Sequence, residues 1–403
     1  MLTLLKMNKP FRHLISGAFF SSIGDAIMAV GILVAIYQQT HSPVAISWLT
    51  LAQVLPFLII SLYAGVQVDQ LNPKKTLMIS DLLRFIILII LFFLWDLNYV
   101  GLIGIYVVVF LIYSVSTFFD PSSLVVLKSV VEEPEELLVA NSVKQMIIDF
   151  SKIAGALIGG AIASSFDIKW IFIINAFSYL ISLIFISFIV YERKMQKSSK
   201  KLNIRKELKS GWKYIAKKAS LDLKKSIYYI VIINIPISIL TIQMTLISQR
   251  STIFQPGNYL GLMNSLYMGG SVLGSITIGV LLKKTKINLH HIPLLIFIYS
   301  LLTLIPTILF NEIITLLSFF LIGLMAVVIQ IIINSIYQRE VPNEFMGRVS
   351  SFRSMILRIP PPLLSAIYGV MVQYIGLTLA TLIITLFSIL SLYILLINKD
   401  DNY

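Results

Sequence analysis

Arg193–Lys225 reads RKMQKSSKKLNIRKELKSGWKYIAKKASLDLKK, and these 33 residues hold 13 of the chain's 32 lysines and arginines. Long apolar runs crowd both sides of it. The stretch therefore predicts a cytoplasmic bridge between two membrane-embedded halves. Ile204, Leu208, Trp212 and Ile215 share one helical face, with lysines on the other. A basic amphipathic helix of this kind lies on an anionic inner membrane surface; a solvated charged linker is the competing reading. Either one divides the chain into 1–191, 192–225 and 226–403.

Working outward, hydrophobic residues make up 57% of the 403 residues and charged residues 13%. A soluble domain carries roughly 25% charged residues, so the chain reads as an all-α membrane protein. A hydrocarbon core of roughly 30 Å needs about 20 apolar residues per helix. The sequence contains twelve such runs, near 14–38, 44–68, 77–95, 100–125, 138–165 and 170–191 in the first half and 226–250, 258–282, 292–310, 313–338, 349–374 and 376–397 in the second. The expected architecture is twelve transmembrane helices in two six-helix halves.

The net charge of +13 invites a nucleic-acid reading, and the placement of the charges argues against it. Lys6, Lys9, Arg12, Lys74, Lys75, Lys283, Lys284, Lys286, Arg339 and Arg348 all fall on one side if both termini are inside, and the opposite loops hold Lys169 and Arg250. This positive-inside bias predicts a multi-pass protein of a bacterial-type inner membrane with cytoplasmic termini. The basic flank before Leu14 is followed by a long apolar run without a small-residue cleavage site, which reads as a first span and not a removed signal peptide.

The chain has no cysteine, and its four histidines, His13, His41, His290 and His291, sit at span ends or in loops. That pattern builds neither a disulfide nor a metal site. A glycine-rich loop with Lys and Ser/Thr for nucleotide phosphates is absent from the sequence. Neither an enzyme nor a cofactor is expected. The expected partners are the lipid bilayer, a small-molecule substrate and protons, with the protein acting as a monomer.

Span 2 runs into Gly65-Val66-Gln67-Val68-Asp69-Gln70-Leu71-Asn72-Pro73-Lys74-Lys75. This stretch resembles the loop 2–3 signature of the major facilitator superfamily: a Gly, three residues, an Asp and then a basic pair. Gly65 permits close helix packing, and Asp69 can face the positive N-terminus of a neighbouring helix. By the resemblance, that neighbour is span 11, starting near Gly347-Arg348, and the contact locks one state of the alternating-access cycle. Ser21-Ser22-Ile23-Gly24-Asp25, Asp81-Leu82-Leu83-Arg84, Asp120-Pro121-Ser122, Ala140-Asn141-Ser142 and Val341-Pro342-Asn343-Glu344 are similar to the macrolide-efflux (Mef-like) branch, made up of drug:proton antiporters. That branch implies a secondary exporter of drugs or antibiotics. Siderophore or peptide export, lysophospholipid flipping and a non-transporting sensor or immunity protein are the alternatives. Two departures stand out. Gly155-Ala156-Leu157-Ile158-Gly159-Gly160 lacks the proline of the antiporter signature in span 5, and span 4 lacks an arginine.

A charge at the bilayer centre costs at least ~2.5–3.5 kcal/mol, so intramembrane ionisable groups are functional candidates. Asp25, midway along span 1, is the candidate for proton coupling. A helix-to-helix bond and a direct contact with a cationic substrate are its other readings. Asp149 and Lys152 are spaced i,i+3 and predict a structural ion pair. Arg353 and Arg358 in span 11 either snorkel or meet an anionic group.

Tyr106, Phe110, Tyr113, Thr117 and Asp120 form a polar and aromatic stripe on span 4. Asn234, Ser238, Thr241 and Thr245 form one on span 7, and Gln330 and Asn334 lie one turn apart on span 10. By the resemblance, spans 1, 4, 7 and 10 line a central cavity. Ordinary helix–helix hydrogen bonds, worth ~0.6 kcal/mol each, are the competing reading for any single residue.

Overall fold

A computed structural model describes residues 8–96, 101–131, 133–190, 213–215, 219–284, 291–309, 311–342, 349, 353 and 356–397. The first-half helices are α1 (Lys9–Thr40), α2 (Pro43–Gln70), α3 (Pro73–Asp96), α4 (Leu102–Val130), α5 (Pro134–Ser165) and α6 (Lys169–Ser187). The second-half helices are α7 (Leu221–Ile237), α8 (Leu240–Ser248), α9 (Pro256–Lys284), α10 (Ile292–Leu302), α11 (Ile305–Ile308), α12 (Glu312–Glu340), α13 (Pro360–Ile375) and α14 (Leu377–Ile397). Among the described residues, ten helical segments are long and apolar enough to cross a membrane. Pro256–Lys284 and the shorter apolar segment Ile292–Ile308 occupy the positions of spans 8 and 9. Helix is the form such runs must take, because bilayer hydrocarbon offers no partner to a free backbone N–H or C=O.

Helices α1, α2 and α3 extend past the apolar runs that predicted them, α6 ends short of its run, and two runs are broken. Span 7 divides into α7 and α8 just after Pro236, which cannot donate to the preceding turn. Span 9 divides into α10 and α11 just before Pro306. The second break frees the Thr303 carbonyl inside the protein, and the buried Gln243 on α8 donates Nε2 to it at 2.6 Å. One side-chain amide thus satisfies a carbonyl that the helix no longer does.

The chain forms two compact units. The first takes in Met1–Thr40, Leu51–Lys201 and Gln255–Ser265. Within it α1 packs against α5 and α6, and α3 packs against α4 and α6. Close approach depends on glycine. A Cβ at Gly159 on α5 would lie 2.7 Å from the Ile27 carbonyl oxygen of α1, a distance real Cβ atoms do not adopt. The cluster of Phe11, Leu14, Leu77, Val126, Leu127, Val143 and Ile186 closes one end of this unit.

The second unit takes in His41–Thr50, Leu202–Phe254 and Leu266–Tyr403. Here α12 packs on α7 and α10, while α14 packs on α7 and α13. Buried hydroxyl pairs tie it together: Ser300 with Ser388 at 3.0 Å and Tyr368 with Thr381 at 2.7 Å.

Most of the basic stretch, 193–212 and 216–218, lies outside the described residues. Lys213–Ile215 is helical, and its Tyr214 and Ile215 are buried against Leu223, Ile227, Tyr337 and Val341. This corrects the membrane-surface expectation at Ile215, whose apolar side chain is covered by the protein's own helices.

Candidate functional site

The polar groups of the first unit converge on the middle of α1. Asp25 is exposed midway along α1, a helix long and apolar enough to cross a membrane, and a charge there faces a polar interior or a water-filled cavity in preference to lipid. Tyr179 on α6, itself fully buried, donates its O–H to the Asp25 carboxylate. Asn175, one turn earlier on α6, is buried beside it; its Oδ1 accepts from Ser178 at 2.9 Å. The residue before Asp25 makes this approach possible. A Cβ at Gly24 would stand 2.1 Å from Ser178 Oγ and 2.3 Å from Asn175 Oδ1, so any side chain there would push α1 off α6 and separate Asp25 from Tyr179.

Arg84 lies midway along α3 and is 2% exposed. Its Nη2 meets Asp81 Oδ1 at 2.5 Å. Its Cζ sits 4.3 Å from the Phe119 ring centre and 4.4 Å from that of Tyr179, so the cation is held between two aromatic faces. Asp81 is fully buried, and among the described residues its Oδ2 has no hydrogen-bond partner. The charge of Arg84 acts on Asp81, Asp25 and Asp120. Asp120, open to solvent on α4, acts in turn on Lys144 of α5, whose Nζ donates to Ser123 Oγ at 2.7 Å. Three carboxylates, Asp25, Asp81 and Asp120, thus stand against two cations, Arg84 and Lys144.

Arg84 bears on the missing arginine of span 4. That span has no arginine, but α3 brings one into the same environment, so Asp25 does have a cationic neighbour. The signal was present in the sequence as opposite charges at i,i+3 inside an apolar run. Tyr179 and Asn175 carried no such signal, since an ordinary Tyr and Asn in an apolar helix read as packing residues.

The other expected residues fall in several places. Tyr106, Phe110 and Tyr113 are half-buried on α4, and Asp25 acts on Tyr113. Thr117 is buried and bonds to the Ser114 carbonyl at 2.6 Å. On span 7, Asn234, Ser238 and Thr245 are buried, and Ser238 and Thr245 bond to carbonyls of their own span at 2.6 and 2.8 Å. Asn234 donates Nδ2 to the Ile356 carbonyl of span 11 at 3.4 Å, while Thr241 is half-buried. Gln330 is exposed and Asn334 half-buried on α12.

The expected Asp149–Lys152 ion pair is not formed. Asp149 accepts from Gln145 at 2.8 Å, and Lys152 points to solvent. An exposed lysine in this position has water as an alternative to its neighbour, so spacing alone does not enforce a bond. Of the loop 2–3 motif, Lys74 donates Nζ to the Ser187 carbonyl at the end of α6 at 2.8 Å, a favourable place for a cation, and Lys75 is exposed. Gly347 and Arg348 lie outside the described residues, as do the side-chain positions of Gly65 and Asp69.

The Major Facilitator Superfamily pattern matches residues 14–365. The chain is 26% identical over 200 residues to the uncharacterized MFS-type transporter YfiS of Bacillus subtilis (strain 168). That match takes in 49% of this chain and 46% of the relative, so it spans about half the relative's length. Among solved structures, the nucleoside transporter NupG superposes with a TM-score of 0.77 at 12% identity, covering 97% of this chain and 99% of that one. A bacterial homologue of the iron transporter ferroportin, in its inward-facing state, gives 0.70 at 13% identity, covering 96% and 98%. A POT family transporter in complex with a thioalcohol-conjugated peptide gives 0.72 at 14% identity, covering 96% of each. At these identities the likeness is one of fold, and these transporters are named for cargoes as unlike as nucleosides, peptides and iron. The fold, the run of membrane helices and the match across most of its length agree: this chain belongs to the Major Facilitator Superfamily and is a multi-pass membrane transporter of that type.

Proposed function

We propose that the protein is a secondary exporter of amphipathic small molecules, of the macrolide-efflux type, driven by protons that load and leave at Asp25. One observation carries this reading: the first unit gathers three carboxylates against two cations at membrane depth. An uncompensated charge is costly whenever the transport cycle shuts water away from it. Uptake of one proton removes it. Of the three carboxylates, Asp81 is committed to Arg84, whereas Asp25 combines solvent access with a neutral hydrogen-bond donor, Tyr179, that tolerates either protonation state. A group whose proton follows cavity exposure is sufficient to couple a gradient to alternating access. The test is accumulation of ethidium or a macrolide in inverted vesicles. Accumulation should follow an imposed pH gradient and collapse with a protonophore; accumulation that survives the protonophore contradicts the reading.

The orientation belongs to the same proposal, with both termini and the central stretch in the cytoplasm of a cell whose inner membrane holds the protein. A Ser198→Cys variant, in a chain otherwise free of cysteine, should resist an impermeant thiol reagent in intact cells and react once the cells are opened. Labelling from outside would reverse the topology.

Asp69 is proposed to act in the conformational cycle. Asp69→Asn should insert and express as the parent does and lower the efflux rate about two- to thirtyfold, by loss of a charge at a helix N-terminus worth about 0.3–2 kcal/mol. An unchanged rate at matched expression would remove the motif from the mechanism.

A further inference from the structure

The second unit carries a cation that no described acidic residue neutralises. Its acidic residues are Glu207, Asp222, Glu312, Glu340, Glu344, Asp400 and Asp401, of which Asp222, on the first turn of α7, Glu312 and Glu340 are among the described residues. Glu312 and Glu340 are the first and last residues of α12, where Glu312 receives Thr252 and Glu340 receives Ser220 and Arg339. Arg353 lies on span 11, and among the described residues no carboxylate stands within ion-pairing distance of it. It is nevertheless held in one orientation. Its Nη2 donates to Asn334 Oδ1 on α12, and its Cζ sits 4.8 Å from the ring centre of Tyr337, one turn further along that helix. Among the described residues its buried Nε has no hydrogen-bond partner. Gln330, one turn before Asn334 on the same face, is open to solvent.

We infer that Arg353, Asn334 and Gln330 form a recognition site for an anionic group, a phosphate or carboxylate carried by an amphipathic molecule. An orphaned guanidinium N–H and a fixed planar cation are what a carboxylate or phosphate uses for paired hydrogen bonds. A buried donor without a partner is costly, and an incoming oxyanion supplies that partner. Asn334 spends its carbonyl on Arg353, which leaves its amide N–H groups, with those of Gln330, as neutral donors to the same oxyanion. This names a substrate class for the transporter and rests on the export reading above, but its test does not require transport.

The full-length protein in nanodiscs of uncharged lipid is titrated with radiolabelled 1-oleoyl lysophosphatidate, oleate and uncharged monoolein. Both anionic probes should bind about tenfold or more tightly than monoolein, the range of a charge-assisted hydrogen bond. In Arg353→Gln that preference should vanish with the monoolein affinity unchanged, and Arg353→Lys should keep part of it. Asn334→Ala, which removes the orienting bond and leaves the charge, should weaken the anionic probes several-fold. Equal affinity of the three probes for the parent protein, or an undiminished preference in Arg353→Gln, overturns the inference. Inorganic phosphate displacing lysophosphatidate at equal concentration assigns the site to the free anion; failure to displace assigns it to the anionic amphiphile. If gradient-driven efflux fails while the preference holds, the export reading falls and the anion site stands.

Discussion

Asp25→Asn is expected to keep substrate binding and abolish accumulation against a gradient. The substitution is close to isosteric, and an amide oxygen accepts the Tyr179 hydrogen bond as the carboxylate does. The packing of Gly24 against Ser178 and Asn175 is untouched. What disappears is the titratable charge, and with it the excess of three carboxylates over two cations. One proton moving down one pH unit supplies about 1.4 kcal/mol, roughly a tenfold accumulation of a neutral substrate. In matched vesicles the parent should approach that ratio, and the variant should equilibrate to equal concentrations on both sides. Downhill exchange should persist in the variant, because the moving elements are intact. Tenfold accumulation by the variant would assign the coupling elsewhere.

Arg84→Met should destabilise the protein by about 3–5 kcal/mol, the cost of leaving one member of a buried ion pair without the other. Asp81 is fully buried, and one of its oxygens already lacks a partner. Removing the guanidinium strands the second oxygen and empties the space between Phe119 and Tyr179. Asp81→Asn with Arg84→Met should recover a large part of the loss, since a neutral pair is cheaper in that interior than a lone carboxylate. Thermal unfolding in detergent distinguishes these outcomes. A double variant no better than Arg84→Met would mean that the arginine acts through its two aromatic contacts and not through Asp81.

Hydropathy located the ten long apolar helices among the described residues, because a bilayer imposes length and apolarity on every span. The basic stretch between the halves was equally plain, since charge of one sign is concentrated there. The helix breaks were less legible. Pro236 and Pro306 were visible, but Pro56 and Pro121 sit inside continuous helices, so proline alone does not say whether neighbours will repair the lost bond.

At the site, Asp25 stood out as a lone charge in an apolar run, and Arg84 could have done so beside Asp81. Tyr179 could not, since it is 154 residues from Asp25 and meets it through the packing of two helices. The same limit explains Asp149 and Lys152, where helical spacing permits a bond that solvent exposure does not require. Arg353 was visible as a charge, but its lack of an acidic neighbour is a property of the folded unit.

The most direct test of proton-coupled export is the proton movement itself. Proteoliposomes containing pyranine, with no imposed gradient, are given ethidium, a macrolide or 1-oleoyl lysophosphatidate, and flux of each compound is followed by its label. Any compound the protein moves should drive protons the opposite way in the parent, with that proton signal absent in Asp25→Asn. Transport of a compound by the parent without proton movement, or an equal proton signal from Asp25→Asn, would contradict the account.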